Sequence, residues 1–417
     1  MEGSLADYDA VVVGASLAGC TVAILLGRAG ARVALVEKQP GMDAFKRMCS
    51  HAIQSPAVAT LERLDLLDPI MAAGAVRGRL RARTRWGWIV APPERSVPAL
   101  SLRRQLLDPI LREAAAATPG VDLLLDRAAV GVLHDGDAAA RVLARDRDGR
   151  DTRLRAPLVV GADGRDSRLA ELAGVPTRTR PHGRFVYAAY FEGVAPVGTP
   201  DFTFWLMDPQ CAGALPTDSG LVLYAALPTK DRLPEFRADP QAAMISFLAG
   251  LPDPPPIRSG RQVGPTLGKL DLTNRIRGPV APGLALVGDA ALATDPLFGV
   301  GCGWALQSGE WLADSMTPAL RGLEPLQVGL DRYRRRHRRE LRGHAFFIHD
   351  YSNGRRMRLG ERATLAAATR DPKVAATFEA FATRRIKATR MFAETVPRAL
   401  AVNARHLMRQ RGRGRAD

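Results

Sequence analysis

Gly14, Ser16 and Gly19 stand in "YDAVVVGASLAGCTVAILLGRAGARVALVEKQ", residues 8 to 39, between an apolar run and a helical one, and Glu37 and Lys38 close the next apolar run. Small residues at this spacing suit phosphate binding. The first makes a tight turn, the second admits a pyrophosphate, and the third lets helix and strand pack closely. Ser16 at the second position keeps the room and adds a hydroxyl that can donate. Leu17 and Ala18 begin the helix, whose unpaired N–H groups and partial positive charge favour an anion. Glu37 falls about 20 residues on, where a carboxylate accepts the ribose hydroxyls of an adenosine. This unit alone does not separate a nicotinamide from a flavin dinucleotide.

Two later clusters and a basic helix narrow the choice. "VVGADGRDS", residues 159 to 167, holds Asp163 and Gly164; "LVGDAALATDPLFGVG", residues 286 to 301, holds Gly288, Asp289, Pro296, Gly299, Val300 and Gly301; "RRQLLDPIL" carries Arg104. In this order the motifs resemble those of the class A FAD-dependent monooxygenases, the para-hydroxybenzoate hydroxylase fold, which geranylgeranyl reductases and flavin-dependent halogenases share. The resemblance runs from residue 9 to about 315. It implies that Asp289 accepts a ribityl hydroxyl, that the Gly299–Gly301 backbone approaches the flavin where reduction places negative charge, and that Pro296 borders the ring. It further implies that Arg104 reaches the pyrophosphate or ribityl chain, and that Asp163 and Gly164 lie where FAD and incoming NAD(P)H are handled. Leu292 departs from the histidine often found there. Arg47 and Gln54, in "FKRMCSHAIQSP", fall where the superfamily's chain passes the ring and are read as cofactor contacts, against the alternative of a surface helix start.

These residues need elements to position them. "DAVVV", "LAGCTVAILLGRAG" and "RVALVE" read as strand, helix, strand; "RLRAPLVVGADG" returns to a buried strand; residues 184 to 228 alternate as an antiparallel sheet. Within that sheet, "DFTFWLMD" puts Phe202 and Phe204 on one face and Trp205 and Met207 on the other. All four are candidates to line an apolar substrate pocket, with ordinary core packing as the rival. The expected fold is α/β: a Rossmann-like FAD-binding domain interleaved with an antiparallel-sheet substrate domain, then a helical C-terminal region. The boundaries are 1–180 for the first part, with a substrate-domain insertion at 76–100, then 181–275 for the β-rich domain, 276–330 for the second part and 331–417 for the basic helical region. The final "RQRGRGRAD" reads as disordered.

The 417 residues, 46% hydrophobic and 24% charged, describe an ordinary globular chain. Almost all of its +16 net charge resides in residues 331–417, with 23 Lys plus Arg against 8 Asp plus Glu. That patch is either a solvated helical face or a dock for an anionic partner, such as an acidic carrier protein or a phosphate-bearing substrate; nucleic acid is disfavoured for want of a binding fold. Cys20, Cys49, Cys211 and Cys302 are spaced for neither zinc nor a disulfide framework, and the seven histidines suggest no metal site. No apolar run is long enough to span a membrane and no signal peptide is visible, so the expectation is cytoplasmic.

The expected activity is an FAD-dependent monooxygenase using NAD(P)H as transient reductant and O2 to hydroxylate or epoxidise an apolar, aromatic or polyketide-like metabolite. No catalytic residue is assigned. A geranylgeranyl-reductase-like alkene reductase is the main alternative. A halogenase is the next: Trp86 and Trp88 are similar to the halogenase tryptophan pair but precede the Arg104 helix, and Arg79 cannot replace the catalytic lysine because arginine stays protonated. An anionic-partner binder is the reading from another class.

Overall fold

The computed structural model describes residues 5–135, 139–196 and 198–413. Short runs of Val, Leu and Ala without polar alternation belong in a sheet covered on both faces. Ala10–Val13, Val33–Val36 and Leu158–Gly161 are such runs, every residue buried. They form the centre of a six-stranded sheet ordered Val280–Ala281, Leu284–Leu286, Leu158–Gly161, Ala10–Val13, Val33–Val36, Val121–Leu124. All pairings are parallel except that of the edge strand Val280–Ala281.

One face of this sheet is covered by the helices Leu17–Arg28 and Gly301–Leu320, which pack on each other, and by Arg104–Ala116. The other face meets a four-stranded sheet of Leu5–Asp7, Asp151–Ala156, Ala139–Arg145 and Ala128–Asp135, which encloses a second core. The first helix is buried along almost its whole length, so its sequence is apolar all round rather than amphipathic.

A seven-stranded sheet lies beyond, ordered Arg261–Lys269, Val186–Glu192, Val222–Leu227, Cys211–Pro216, Phe202–Leu206, Leu80–Thr84, Gly87–Val90. Its pairings are antiparallel except where Phe202–Leu206 runs parallel to Leu80–Thr84. Two strands from before residue 100 thus complete a sheet built mainly from residues after 185. One of its faces joins the main core; the other is covered by the helices Leu233–Ala238 and Pro240–Ala249 around Phe236, Met244 and Phe247.

The C-terminal region is helical: Leu326–Tyr351, Leu359–Ala368, Pro372–Ala382 and Ala388–Arg413. In the first of these, Leu330, Tyr333, His337, Leu341, His344 and Ile348 are buried at helical spacing, and the arginines occupy the rest of the surface. Several are locally paired, Arg332 with Glu324 at 2.7 Å and Arg336 with Asp314 at 2.9 Å. The last helix continues to Arg413, five residues into the stretch read as disordered; residues 414–417 lie outside the described residues. Among the described residues no helix is long and apolar enough to cross a membrane.

Candidate active site

The three motifs are brought together by the parallel sheet. Ala10–Val13, Leu158–Gly161 and Leu284–Leu286 are neighbours running the same way, so the turn at Gly14, the Asp163–Gly164 turn and the Gly288–Asp289 turn all lie at their C-terminal ends. Ligands of open α/β sheets bind at that edge. The turns are fastened to one another: Ala162 N–H donates to Val13 O at 2.8 Å and Val287 N–H to Gly161 O at 2.9 Å.

Gly14 has φ +107°, and a Cβ there would stand 2.5 Å from Ala162 O. No other residue could occupy it without moving the adjoining strand end. Glu37 lies across the loop, accepting from Ala15 N–H at 2.8 Å and Gln39 N–H at 2.9 Å. A carboxylate has about four lone-pair sites, so acceptor capacity remains for a ribose. Leu17 and Ala18 are buried at the helix start, while Lys38 is exposed. Ser16 is the N-cap but does not cap with its side chain; its Oγ instead accepts from Arg104 Nη2 at 2.6 Å. The buried Arg104 is oriented by Asp108, which accepts from its Nε at 2.7 Å. A fixed cation therefore faces the first helix N-terminus across the turn, the electrostatics a pyrophosphate requires. Arg112, unsuspected from sequence, donates to Ala15 O and to the carbonyls of Met42 and Ala44, tying the loops together.

At the second edge, Lys46 Nζ lies 3.0 Å from Asp289 Oδ2. Burial would raise the Asp289 carboxyl, but Lys46 and Arg165 hold it below the usual range. Arg47, expected near the cofactor, is exposed, and the neighbouring Lys46 is the residue that reaches Asp289. Asp163 uses both oxygens within its own turn, Oδ1 accepting from Ser167 Oγ at 2.5 Å and Oδ2 from Leu169 N–H at 2.9 Å. Gly164, at φ +87°, has open space where a Cβ would stand.

The segment from Pro296 to Gly301 is the most constrained part of the site. Phe298 and Gly299 both take left-handed backbone, at φ +61° and +65°. A phenylalanine there costs of order 1–3 kcal/mol and persists only where its surroundings enforce it. They do. Asp295, fully buried, accepts from Leu297 N–H at 2.7 Å and Arg184 Nη2 at 2.9 Å, and pairs with His182 Nε2 at 2.5 Å. Burial opposes its charge, yet Arg184 and His182 hold its carboxyl far below the ordinary range. Gln54, expected to contact cofactor, is a brace: its amide donates to Phe298 O and Ala382 O, both at 2.9 Å, and accepts from Arg384 Nε. Both of its N–H groups are thereby committed. Val300 is buried, whereas Gly301 is exposed at the start of Gly301–Leu320, with nothing within 4 Å of where its Cβ would stand. An open helix start beside a rigid turn fits a flat, electron-accepting ring. The matching residues therefore fit FAD: Ser16 and Arg104 for its pyrophosphate, Glu37 for its adenosine ribose, Asp289 for its ribityl chain, and the Gly299–Gly301 backbone for its ring.

The seven-stranded sheet turns Phe202, Phe204 and Leu206 toward this segment, and Phe204 meets Phe298 edge-on at 6.5 Å. Phe378, from the C-terminal helices, meets Phe298 at 6.1 Å from another side. Trp205 and Met207 belong to the opposite face: Trp205 packs in the core under the helices and its indole N–H donates to Pro252 O at 3.0 Å. They are removed from the pocket candidates, because the two-residue period of a strand sends neighbours to opposite faces. Trp88 is likewise tethered elsewhere, to Asp253 at 2.8 Å. Tyr190, on the same sheet, hydrogen-bonds His51 Nε2, and His51 is a buried residue in left-handed backbone with φ +62°. Arg112, Tyr190, His182, Arg184, Phe378 and Arg384 lie outside the motifs, and Lys46, His51 and Asp295 lie within the quoted stretches without an assigned role; only the fold gathers them. Among the described residues, no group of His, Cys, Asp and Glu is arranged to hold a metal ion.

Comparison with known proteins agrees with this geometry. Residues 7–235 match the FAD binding domain family. Aklavinone 12-hydroxylase RdmE of Streptomyces purpurascens is 32% identical over 240 residues, 51% of this chain and 44% of the hydroxylase, so the chain matches less than half of that relative's length. Digeranylgeranylglycerophospholipid reductase of Thermoplasma volcanium is 24% identical, over 80% of this chain and 85% of the reductase. Among solved structures, the flavin-dependent brominase Bmp2 superposes with a TM-score of 0.78 at 17% identity, covering 97% of this chain and all of the brominase; that likeness is one of fold.

Proposed function

This chain belongs to the FAD binding domain family of flavin-dependent oxidoreductases, and on that premise we propose that it is a monooxygenase acting on an apolar, aromatic or polyketide-like metabolite. FAD, when bound, supplies the two-electron redox chemistry and the activation of O2, with NAD(P)H as transient reductant. The observation that supports the reading is the apolar contact that Phe298, in the Pro296–Gly301 turn, makes edge-on with Phe204 and Phe378. Oxygen transfer to a carbon centre needs a dry, shaped cavity more than an acid or a nucleophile. Phe202 and Phe204 supply an apolar wall, and the Tyr190–His51 pair sets one polar group on the same sheet to orient a substrate hydroxyl. The helix start at Gly301 contributes partial positive charge where reduction would place negative charge.

The similarity to a geranylgeranyl-type reductase over four-fifths of the chain supports a second reading, alkene reduction. Oxygen separates the two. Turnover under labelled dioxygen is expected to place one labelled atom in the product and the other in water, with NAD(P)H consumed one for one. Unlabelled product formed equally well without oxygen would replace the monooxygenase by the reductase, and halide incorporation would replace it by a halogenase.

A further inference from the structure

The four cysteines carry no sequence pattern, yet the fold sets two of them together. Cys49 lies in the segment that passes the Pro296–Gly301 turn, Cys302 is the second residue of the helix Gly301–Leu320, and their sulfurs are 3.5 Å apart across 253 residues of chain. Two N–H donors converge on the Cys49 sulfur, the backbone N–H of His51 at 3.3 Å and Nη1 of the permanently charged Arg104 at 3.6 Å, and the Cys302 thiol stands within hydrogen-bond reach of it. Apolar packing of two small side chains would surround them with carbon instead. Such donors stabilise a thiolate. Consistent with this, the hydrogen bond from Cys302 holds the Cys49 thiol well below its ordinary range in spite of burial, and Cys302, as the partner that keeps its proton, lies above it. Burial pushes the thiols of Cys20 and Cys211 up to about 12 and about 11, so the chain carries its own unreactive controls.

We infer that Cys49 and Cys302 are a peroxide-sensitive thiol pair that closes to a disulfide at the edge of the cofactor turn. The co-reactant is hydrogen peroxide. The Cys49 thiolate attacks one peroxide oxygen, the O–O bond breaks, and the departing hydroxide takes a proton to leave as water. Cys49 is then a sulfenic acid. The Cys302 sulfur attacks the Cys49 sulfur, displacing hydroxide, which leaves as a second water with the Cys302 proton. The two sulfurs together lose two electrons and the peroxide oxygens gain them. A disulfide of about 2 Å draws the sulfurs closer than they stand now. It ties the Cys49 segment to the first turn of the Gly301–Leu320 helix and leaves Arg104 with Ser16 and Asp108 as its partners. None of this depends on bound FAD or on the proposed reaction.

The test treats the reduced full-length chain with stoichiometric hydrogen peroxide, blocks free thiols, digests under non-reducing conditions and maps the peptides by mass. The expected result is a cross-linked pair containing Cys49 and Cys302, lighter by two hydrogens than the separate peptides. In Cys302→Ser the oxidation should stop at a sulfenic acid on Cys49 that dimedone traps, and Cys49→Ser should lose both products. Alkylation of the untreated chain at neutral pH should be at least about tenfold faster at Cys49 than at Cys20 or Cys211. Four free thiols after peroxide, or oxidation falling first on Cys20 or Cys211, would overturn the inference. Should a serine variant fail to fold, the mapping of the unaltered chain decides alone.

Discussion

Gly301→Ala separates a cofactor-binding turn from a merely tight one. Gly301 has no positive φ and its Cβ would meet nothing within 4 Å, so the fold tolerates the methyl. Alanine is the better helix former, which gives the apoprotein between zero and about 1 kcal/mol of added stability. The same methyl would project from the helix start assigned to the flavin. Displacing the ring enough to weaken one backbone contact costs about 1.4 kcal/mol, a tenfold rise in Kd. Gly299→Ala is the contrast. Its φ of +65° and a Cβ placed 2.9 Å from that of Ala52 bring backbone strain of about 1–2 kcal/mol and a steric shift of about 1 kcal/mol. That variant should lose stability before cofactor enters. Urea unfolding of the apoproteins and titration of FAD by fluorescence quenching measure the two quantities independently. Wild-type FAD affinity in Gly301→Ala would refute the placement of the flavin at this turn. A loss of apoprotein stability in the same variant would refute the claim that the position is open.

Asp289→Ala is expected to lower FAD affinity at least about tenfold with little loss of stability, since its partner Lys46 has a half-exposed side chain and such pairs contribute about 1 kcal/mol or less. Asp163→Ala should do the reverse, losing about 1–2 kcal/mol of stability with its helix-capping bond to Leu169 while leaving the FAD Kd nearly unchanged; equal effects in a paired titration and melt would contradict this division. Stability should also fall as the medium is acidified from about pH 6.5 toward 4, because burial pushes His337 and His344 down to about 4 whereas the unfolded chain takes up those protons near 6.5. The contribution is complete above the unfolded value and declines by up to about 2 kcal/mol per histidine between pH 7 and 5. Urea midpoints across that range should flatten in a His337→Gln, His344→Gln double variant, and an unaltered slope there would rule these residues out as the cause.

The sequence by itself determined the cofactor turns. Gly14 announces itself because the turn between strand and helix admits few residue types, and the Asp163–Gly164 pair and the run from Gly288 to Gly301 do so through their resemblance to the motifs of a known family. It also determined the fold class, since unalternating apolar runs require a sheet covered on both faces while alternating ones require a sheet with distinct sides. What the sequence left open was which face is which. Phe204 and Trp205 are equally apolar neighbours, and only the placement of the two helices at residues 233–249 decides that Trp205 is core and Phe204 meets the turn. The tertiary structure alone decided that Lys46 rather than Arg47 reaches Asp289, that Gln54 braces Phe298 from within, and that Asp295 is held by His182 and Arg184 from another sheet. It alone brought Cys49 beside Cys302. These are single contacts between segments more than 100 residues apart; each is fixed by how sheets and helices stack, and no spacing along the chain encodes them.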